Sequence, residues 1–443
     1  MKSNKIAVIT LGCSKNLVDS ERLMRMLSDV GYDVTDSTSD SFFESDGKRM
    51  VVINTCGFIG DAKEESINEI LAWCKLKNEG RIDGLYVMGC LSERYSSELP
   101  AEIPEVDKWY GKTDWPRLVS ELAHRSPGSA PYDRIITTPR HYAYLKIAEG
   151  CNRFCSFCAI PLITGRYKSR PVEEIVEEVR MLVARGVKEF NVIAQDLTNY
   201  GSDIYGKAEI ARLVEEIASV EGVRWIRLHY AYPKDFPMEL IDVMAAHDNV
   251  CKYLDIALQH CSDKVLANMR RHITGDETRE LLAEIRRRVP GIHIRTTLMV
   301  GFPGEGDEEF DELLDFVATQ RFERMGAFAY CEEEDTFGAK NFTDSIPQEV
   351  KNSRLERLMA LQEKISSEIQ ESKVGQTLRV VIDREEADYY VGRTEFDSPE
   401  VDPEVLVSKT VPLERGRFYN VRITSAMPFE LMAEPIEDGN DED

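Results

Sequence analysis

A chain of 443 residues, 30% charged and 42% hydrophobic, has the length of about three domains and the composition of globular protein. Its formal net charge of −24, from 79 acidic against 55 basic residues, argues against a nucleic-acid binder with a broad basic footprint and suits a basic partner. No run approaches the ~20 apolar residues of a membrane span, and the apolar run after Met1–Lys5 is too short for a signal peptide.

A cytoplasmic protein with no membrane association is expected. Ten cysteines in such a chain point to metal or catalysis rather than to a disulfide framework. Cys74, Cys251, Cys261 and Cys331 read as ordinary small residues, buried or half-buried.

From Lys5 to Leu122 strand-like runs alternate with helical ones. Ile6–Thr10, Met50–Asn54 and Leu85–Met88 are the strands; Ser20–Leu27 and Ser66–Leu76 are helical. The alternation predicts an open parallel α/β sheet. Each strand runs directly into a cysteine: Leu11-Gly12-Cys13, Thr55-Cys56-Gly57 and Gly89-Cys90. Parallel strands bring their carboxyl ends to one edge, where such sheets bind ligands. The three thiols are thus expected to converge as one three-thiolate cluster site, although each position taken alone also suits a buried turn cysteine. A Ser/Pro/Gly-rich linker follows between Arg125 and Ile136.

The alternation resumes with six strand-like runs: Tyr142–Ala148, Glu189–Ala194, Trp225–Tyr230, Tyr253–Leu258, Ile292–Val300 and Gly326–Tyr330. Six β/α units fall short of the eight of a closed barrel, so an open partial (β/α)6 barrel is predicted. The first strand leads into Glu149-Gly-Cys151-Asn-Arg-Phe-Cys155-Ser-Phe-Cys158. Four cysteines complete a ferredoxin-type cluster. Three leave one iron open, by the logic that leaves a position free on catalytic zinc. A zinc loop would need a fourth nearby Cys or His, and none occurs between Cys158 and His229.

Two more strand exits, Val192–Asp196 and Met299–Glu305, are polar or glycine-bearing and placed to hold a small cofactor. Gln348 to Lys373 reads as a connecting helix. Beyond Gly375, four short runs (Thr377–Ile382, Tyr389–Val391, Val405–Val407, Tyr419–Ile423) predict a small antiparallel β-barrel. From Val374 onward there are 17 acidic and 7 basic residues, which disfavours RNA. The acidic tail Glu437–Asp443 is expected to be disordered. The expected domains are 4–124, 137–370 and 373–437.

The Cys151–Cys158 loop resembles the signature of radical S-adenosylmethionine enzymes. Nearly the whole chain resembles the methylthiotransferases among them: an N-terminal cluster domain, a radical SAM core and a C-terminal TRAM barrel. The resemblance implies two 4Fe-4S clusters and S-adenosylmethionine. Cys151, Cys155 and Cys158 would hold the cluster whose open iron binds S-adenosylmethionine and cleaves it to a 5′-deoxyadenosyl radical. Cys13, Cys56 and Cys90 would hold the cluster that delivers sulfur, and a second S-adenosylmethionine would supply the methyl group. Phe157 is expected to pack on the adenine, with Gln195 and Gly301 lining the cofactor cleft. No general base is identified. An electron donor such as flavodoxin or ferredoxin is implied.

The family has two branches, one acting on adenosine in tRNA and one on the β-carbon of an aspartate in small-subunit ribosomal protein S-twelve. Ala194–Tyr205, Arg227-Leu-His-Tyr-Ala-Tyr-Pro233, Tyr253–His260 and the acidic Ala329–Thr336 are similar to the second. The substrate this implies is a basic ribosomal protein, free or within the small subunit, with tRNA disfavoured and kept as the alternative. Cys331, Ala257, Gly306 and Asp335-Thr-Phe depart from the family pattern without touching a cluster cysteine.

Overall fold

The computed structural model describes residues 4–44, 47–123, 128, 130 and 132–440. Residues 125–127, 129 and 131 of the expected linker and the last three residues of the acidic tail lie outside them. The first sheet contains β1 (Lys5–Thr10), β2 (Asp33–Thr35), β3 (Arg49–Thr55), β4 (Gly84–Gly89) and β5 (Lys108–Trp109). All pairs are parallel, in the order β2-β1-β3-β4-β5. The cysteine-bearing strands are therefore immediate neighbours, with Thr10 opposite Asn54 and Thr55 opposite Gly89.

Both faces of this sheet are covered. Val51, Ile53, Leu85 and Val87 pack with Ile70 and Trp73 of the helix Gly60–Asn78. Ile6, Val8 and Val52 pack with Leu23, Met24 and Leu27 of the helix Ser14–Asp29. Two-sided burial is why these strands read as unbroken apolar runs.

The second sheet contains β6 (Tyr142–Lys146), and beyond the small antiparallel ribbon β7 (Ala148–Glu149) and β8 (Lys168–Ser169) come β9 (Glu189–Ile193), β10 (Trp225–Ala231), β11 (Val250–Ile256), β12 (His293–Val300) and β13 (Arg324–Ala329). Its six parallel strands run β13-β12-β11-β10-β9-β6 and do not close. The partial barrel is thus as expected. The helix Gln348–Glu371 covers the β13 side and buries Leu358 and Ile365 in the main core.

The C-terminal strands β14 (Thr377–Glu385), β15 (Tyr389–Thr394), β16 (Glu404–Ser408), β17 (Phe418–Met427) and β18 (Glu430–Asn440) form a closed barrel. The order is β14-β15-β16-β18-β17. Four of these strands were legible. The fifth corrects the expectation of a disordered tail from Glu437, because β18 extends to Asn440 by pairing antiparallel with β17. That backbone ladder does not depend on the acidic composition.

Buried ion pairs join the parts. Arg134 is fully buried and meets Glu178 at 2.8 Å and also Glu21, tying both sheets together. Arg393 of the barrel meets Glu189 of the core at 2.8 Å, and Arg324 meets Asp397 at 2.5 Å. Such pairs contribute less to net stability than their Coulomb energy suggests, but breaking one partner is costly. They fix the relative placement of the three units.

Candidate active site

The three N-terminal cysteines sit at adjacent strand exits around one side chain, Asn16. Its amide donates to the carbonyls of Leu11 and Thr55, both at 3.0 Å. Its carbonyl oxygen accepts from the Cys90 thiol at 3.7 Å, and its backbone carbonyl accepts from Asn54 at 2.9 Å. Asn16 thereby links the exits of β1, β3 and β4. Ser66 pins the Cys56 backbone, accepting from its N–H at 3.0 Å and donating to its carbonyl at 2.9 Å. Gly12, at φ +86°, is required here: a Cβ would lie 2.7 Å from the Cys56 Cβ and 2.9 Å from its Sγ.

Burial pushes the Cys56 thiol up, and the Cys90 thiol up to about 12. Depth in the protein also pushes Cys13 up. Lys15, the Asn16 backbone N–H and Lys112 more than offset it and leave Cys13 below its ordinary value. Cys13, which is exposed, is thus the one of the three shifted toward its thiolate.

The second set occupies the loop after β7. Cys151, Cys155 and Cys158 are half-buried. The loop is fastened by Ser156, whose N–H donates to the Met269 carbonyl at 3.0 Å and whose hydroxyl donates to that of Asn268 at 2.7 Å. The Arg153 backbone N–H donates to the Cys151 sulfur at 3.5 Å, and Arg271 donates to that of Cys155 at 3.3 Å. Tyr232 lies between the two guanidinium groups, which stand 4.2 and 4.1 Å from its ring centre. Burial pushes the Cys151 thiol up to about 12, and Cys158 up as well. Iron binding to such thiols releases their protons.

Among the described residues no three Cys, His, Asp or Glu side chains converge on a single metal ion. Ligands of a cubane cluster need not, because each thiolate binds a different iron. Two three-thiol sets with nearby cations fit that group.

The two sets are neighbours. Cys90 packs against Ala159 and Ile163, which follow Cys158 directly. Cys13 and Phe157 both line one cavity of about 850 Å³. Its walls come from all three units: Gly12–Ser14 and Phe58–Asp61, then Phe157, His229, Tyr230, Asp255, Gln259 and Glu333, then Ser398–Val401 of the barrel. His229 meets Asn191 at 3.2 Å, and burial lowers its pKa, so the imidazole is neutral. Cys331 also lines the cavity and is exposed, unlike buried Cys74, Cys251 and Cys261. The half-buried expectation for it fails because it lies on the loop leaving β13.

Phe157 packs edge-on against Phe302, with ring centres 6.3 Å apart. Gln195 donates to Glu149, whose carboxylate also meets Lys112 at 2.9 Å and Lys146 at 2.7 Å. Gly301 donates its N–H to Glu305 at 2.9 Å and lies beneath the Lys351 side chain, 2.4 Å from where a Cβ would sit. Neither Gln195 nor Gly301 is among the cavity-lining residues. Sequence reasoning missed Asn16, Lys15, Lys112 and Arg271. The first two lie within three residues of Cys13, and that adjacency was the available signal.

Three family models match the chain: Uncharacterized protein family UPF0004 over residues 5–111, the Radical SAM superfamily over 145–317, and the TRAM domain over 374–436. Fold and site together define a radical S-adenosylmethionine enzyme of the three-domain methylthiotransferase kind. Among solved structures, the radical S-adenosylmethionine methyltransferase TsrM of Kitasatospora setae aligns with a TM-score of 0.57 at 16% identity, over 76% of this chain and 74% of that one. The cobalamin-dependent radical enzyme OxsB aligns at 0.52 and 12%, over 82% and 56%. At those identities the likeness concerns the fold.

Curated relatives named ribosomal protein uS12 methylthiotransferase RimO are far more similar. The protein of Phocaeicola vulgatus is 59% identical over 98% of this chain and 99% of its own length. That of Parabacteroides distasonis is 58% identical over 97% and 99%, and that of Porphyromonas gingivalis 56% over 99% and 100%. The chain belongs to the RimO family of ribosomal protein uS12 methylthiotransferases.

Proposed function

We propose that this protein methylthiolates the β-carbon of an aspartate in ribosomal protein uS12 (the S-twelve protein above). The observation that carries the reading is the shared cavity. A three-cysteine set from the N-terminal sheet and another from the partial barrel pack side by side, and Cys13 and Phe157 line the same space. Cys151, Cys155 and Cys158 hold one 4Fe-4S cluster, and Cys13, Cys56 and Cys90 hold the other. When bound, these groups with S-adenosylmethionine supply hydrogen abstraction, sulfur and a methyl group.

The chain's own residues do the placing. Asn16 and Ser66 hold the N-terminal cysteine loops in register. Arg271 and the Arg153 N–H direct positive charge at the sulfurs of Cys155 and Cys151, where a cluster carries negative charge. Phe157 presents an aromatic face to the cavity, where an adenine can rest. Gln195 acts one step back by holding Glu149 at the base of the loop, and Gly301 shapes the strand exit under Lys351.

An external one-electron donor of the flavodoxin or ferredoxin type, a cytoplasmic location, and action on uS12 either free or within the small subunit belong to the same proposal. No helix among the described residues is long and apolar enough to cross a membrane.

The test is mass spectrometry of uS12 and of tRNA from cells lacking the gene. Loss of a methylthio group from one aspartate is expected, restored by the wild-type gene. An unchanged uS12 together with loss of a tRNA modification would refute the reading.

A further inference from the structure

Lys15 is 8% exposed, with its ammonium 3.6 Å from the centre of the Tyr230 ring. Among the described residues no oxygen accepts a hydrogen bond from it. A lysine carries its charge at neutral pH. A buried ammonium without a hydrogen-bond acceptor is costly, and a cation–π contact offsets only part of that cost. The other buried lysines nearby are paired. Lys112 and Lys146 share Glu149, and Lys146 also holds Asp19. Glu149 is thereby occupied.

The surroundings are built to keep Lys15 where it is. It lies in the first turn of the helix Ser14–Asp29, directly beyond cavity-lining Cys13 and Ser14. Tyr230, across the domain boundary, also lines the cavity. It stands at φ +63° within β10, where the pairing with β11 shifts register between Leu228 and Ala231. A non-glycine residue held at positive φ is strained and persists where its surroundings enforce it. Bulges of this kind re-aim side chains beside active sites. Here the re-aimed ring is the one that carries the lysine.

We propose that Lys15, seated on Tyr230, is the subsite for the side-chain carboxylate of the substrate aspartate. This rests on the uS12 reading above and deepens it. The reacting β-carbon is bonded directly to the carboxylate carbon, so anchoring the carboxylate fixes that carbon beside the Cys13 set. A charge-assisted hydrogen bond gives both affinity and orientation. With Cys13 engaged by iron, the substrate carboxylate supplies the hydrogen-bonded oxygen that Lys15 lacks. A substrate without a carboxylate, such as a nucleoside, would leave the ammonium without a hydrogen-bonded oxygen, so the same contact discriminates against it.

The experiment uses cluster-loaded wild-type, Lys15→Met and Lys15→Arg enzymes, matched for iron content. Each is titrated with three peptides carrying the uS12 target loop: the native aspartate, asparagine in its place, and a scrambled order. Wild type is expected to bind the aspartate peptide about 10- to 100-fold tighter than the asparagine one, as for loss of a hydrogen bond to a charged group. Lys15→Met should bind the two within about twofold, and Lys15→Arg should recover part of the preference.

If Lys15→Met keeps the full aspartate preference, or if wild type binds the uS12 peptide with none, the Lys15 assignment is wrong and the uS12 reading stands. If wild type does not distinguish the native from the scrambled peptide, the uS12 reading itself fails. A Lys15→Met enzyme that keeps the aspartate preference but no longer retains added sulfide would make the anion a sulfur species and overturn the proposal.

Discussion

Replacing Glu333 by glutamine should separate the two halves of the reaction. Glu333 lies on the loop after β13 and is 4% exposed. One carboxylate oxygen takes Arg94 and Lys63, each at 3.0 Å. Arg94 stands four residues beyond Cys90 and also donates to the carbonyl of Gly57, beside Cys56, at 3.0 Å. Its other nitrogen donates to the Glu334 carbonyl at 2.9 Å, and Tyr95 donates to the Glu334 carboxylate. The latch thus runs from two N-terminal cysteine loops to the rim of the partial barrel.

Glutamine keeps the shape and removes the charge, leaving Arg94 buried without its anion. Breaking a buried pair costs about 3–5 kcal/mol. The lower figure applies, because Lys63 is more exposed and can turn to water. A latch weakened by about 3 kcal/mol lets the N-terminal cysteines drift, and a misplacement near 1 Å costs roughly a hundredfold in rate. The Cys151–Cys158 loop is anchored on Asn268 and Met269, and its bond from the Gly338 N–H to the Ser156 carbonyl, at 2.6 Å, does not involve the Glu333 carboxylate. Formation of 5′-deoxyadenosine should therefore stay within about threefold of wild type, while methylthio product falls about 30- to 100-fold. Both are read from one anaerobic reaction by mass spectrometry. A parallel fall of the two, or no change in their ratio, would refute the positioning argument.

Cys155→Ala should reduce 5′-deoxyadenosine to background. Cys56→Ala should leave it forming while no methylthio product appears; the same product assay reads both. His293 stacks on Phe396 of the barrel at 4.0 Å, and burial, with Lys373 and Arg324 nearby, pushes its pKa down to about 3. The unfolded imidazole titrates near 6.5. Between those values the unfolded chain binds a proton that the folded chain does not, so this contribution to stability is lost as pH falls through the window. The melting temperature of His293→Phe, which keeps the stack, should fall less between pH 7 and pH 4 than that of wild type. An equal fall would exclude His293 as a source of acid sensitivity.

What the sequence made legible follows from what each element is stabilised by. β1, β3 and β4 are buried on both faces, so they stand out as apolar runs, and the cysteine after each is visible as a pattern. The three residues of β2 and the two of β5 are too few to show any period. β18 was hidden because its backbone pairing with β17 outweighs an acidic composition. The six cysteines stood out as two sets because three follow successive strands and three share one short spacing. Asn16 was not, since its role lies in hydrogen bonds to strand exits far away in the chain. Arg271 was invisible for the same reason, reaching Cys155 across 116 positions. Lys15 stood in plain view two positions from Cys13, yet its significance depends on Tyr230 lying over it and on no carboxylate among the described residues pairing with it.

The acidic charge of the C-terminal barrel also gains a location. Considered as composition, it favours a basic partner somewhere on the surface. In the fold, the loop between β15 and β16 enters the cavity wall with Ser398–Val401. Asp402 anchors that loop, meeting Arg295 at 2.7 Å and Tyr253 at 2.8 Å. Glu400, at φ +69°, accepts from the hydroxyls of Tyr142 and Tyr144 at 3.3 and 3.4 Å. Asp255 and Glu333 add acidic groups to the same cavity. Charges within a Debye length of about 8 Å act on an incoming chain with little screening. The barrel thus brings one acid, Glu400, to a cavity that Asp61, Asp255 and Glu333 also line. On the function proposed above, these acids favour the lysines and arginines of a ribosomal protein and oppose a phosphate backbone, while Lys15 offers one buried cation deeper in. A basic segment carrying a single carboxylate matches both.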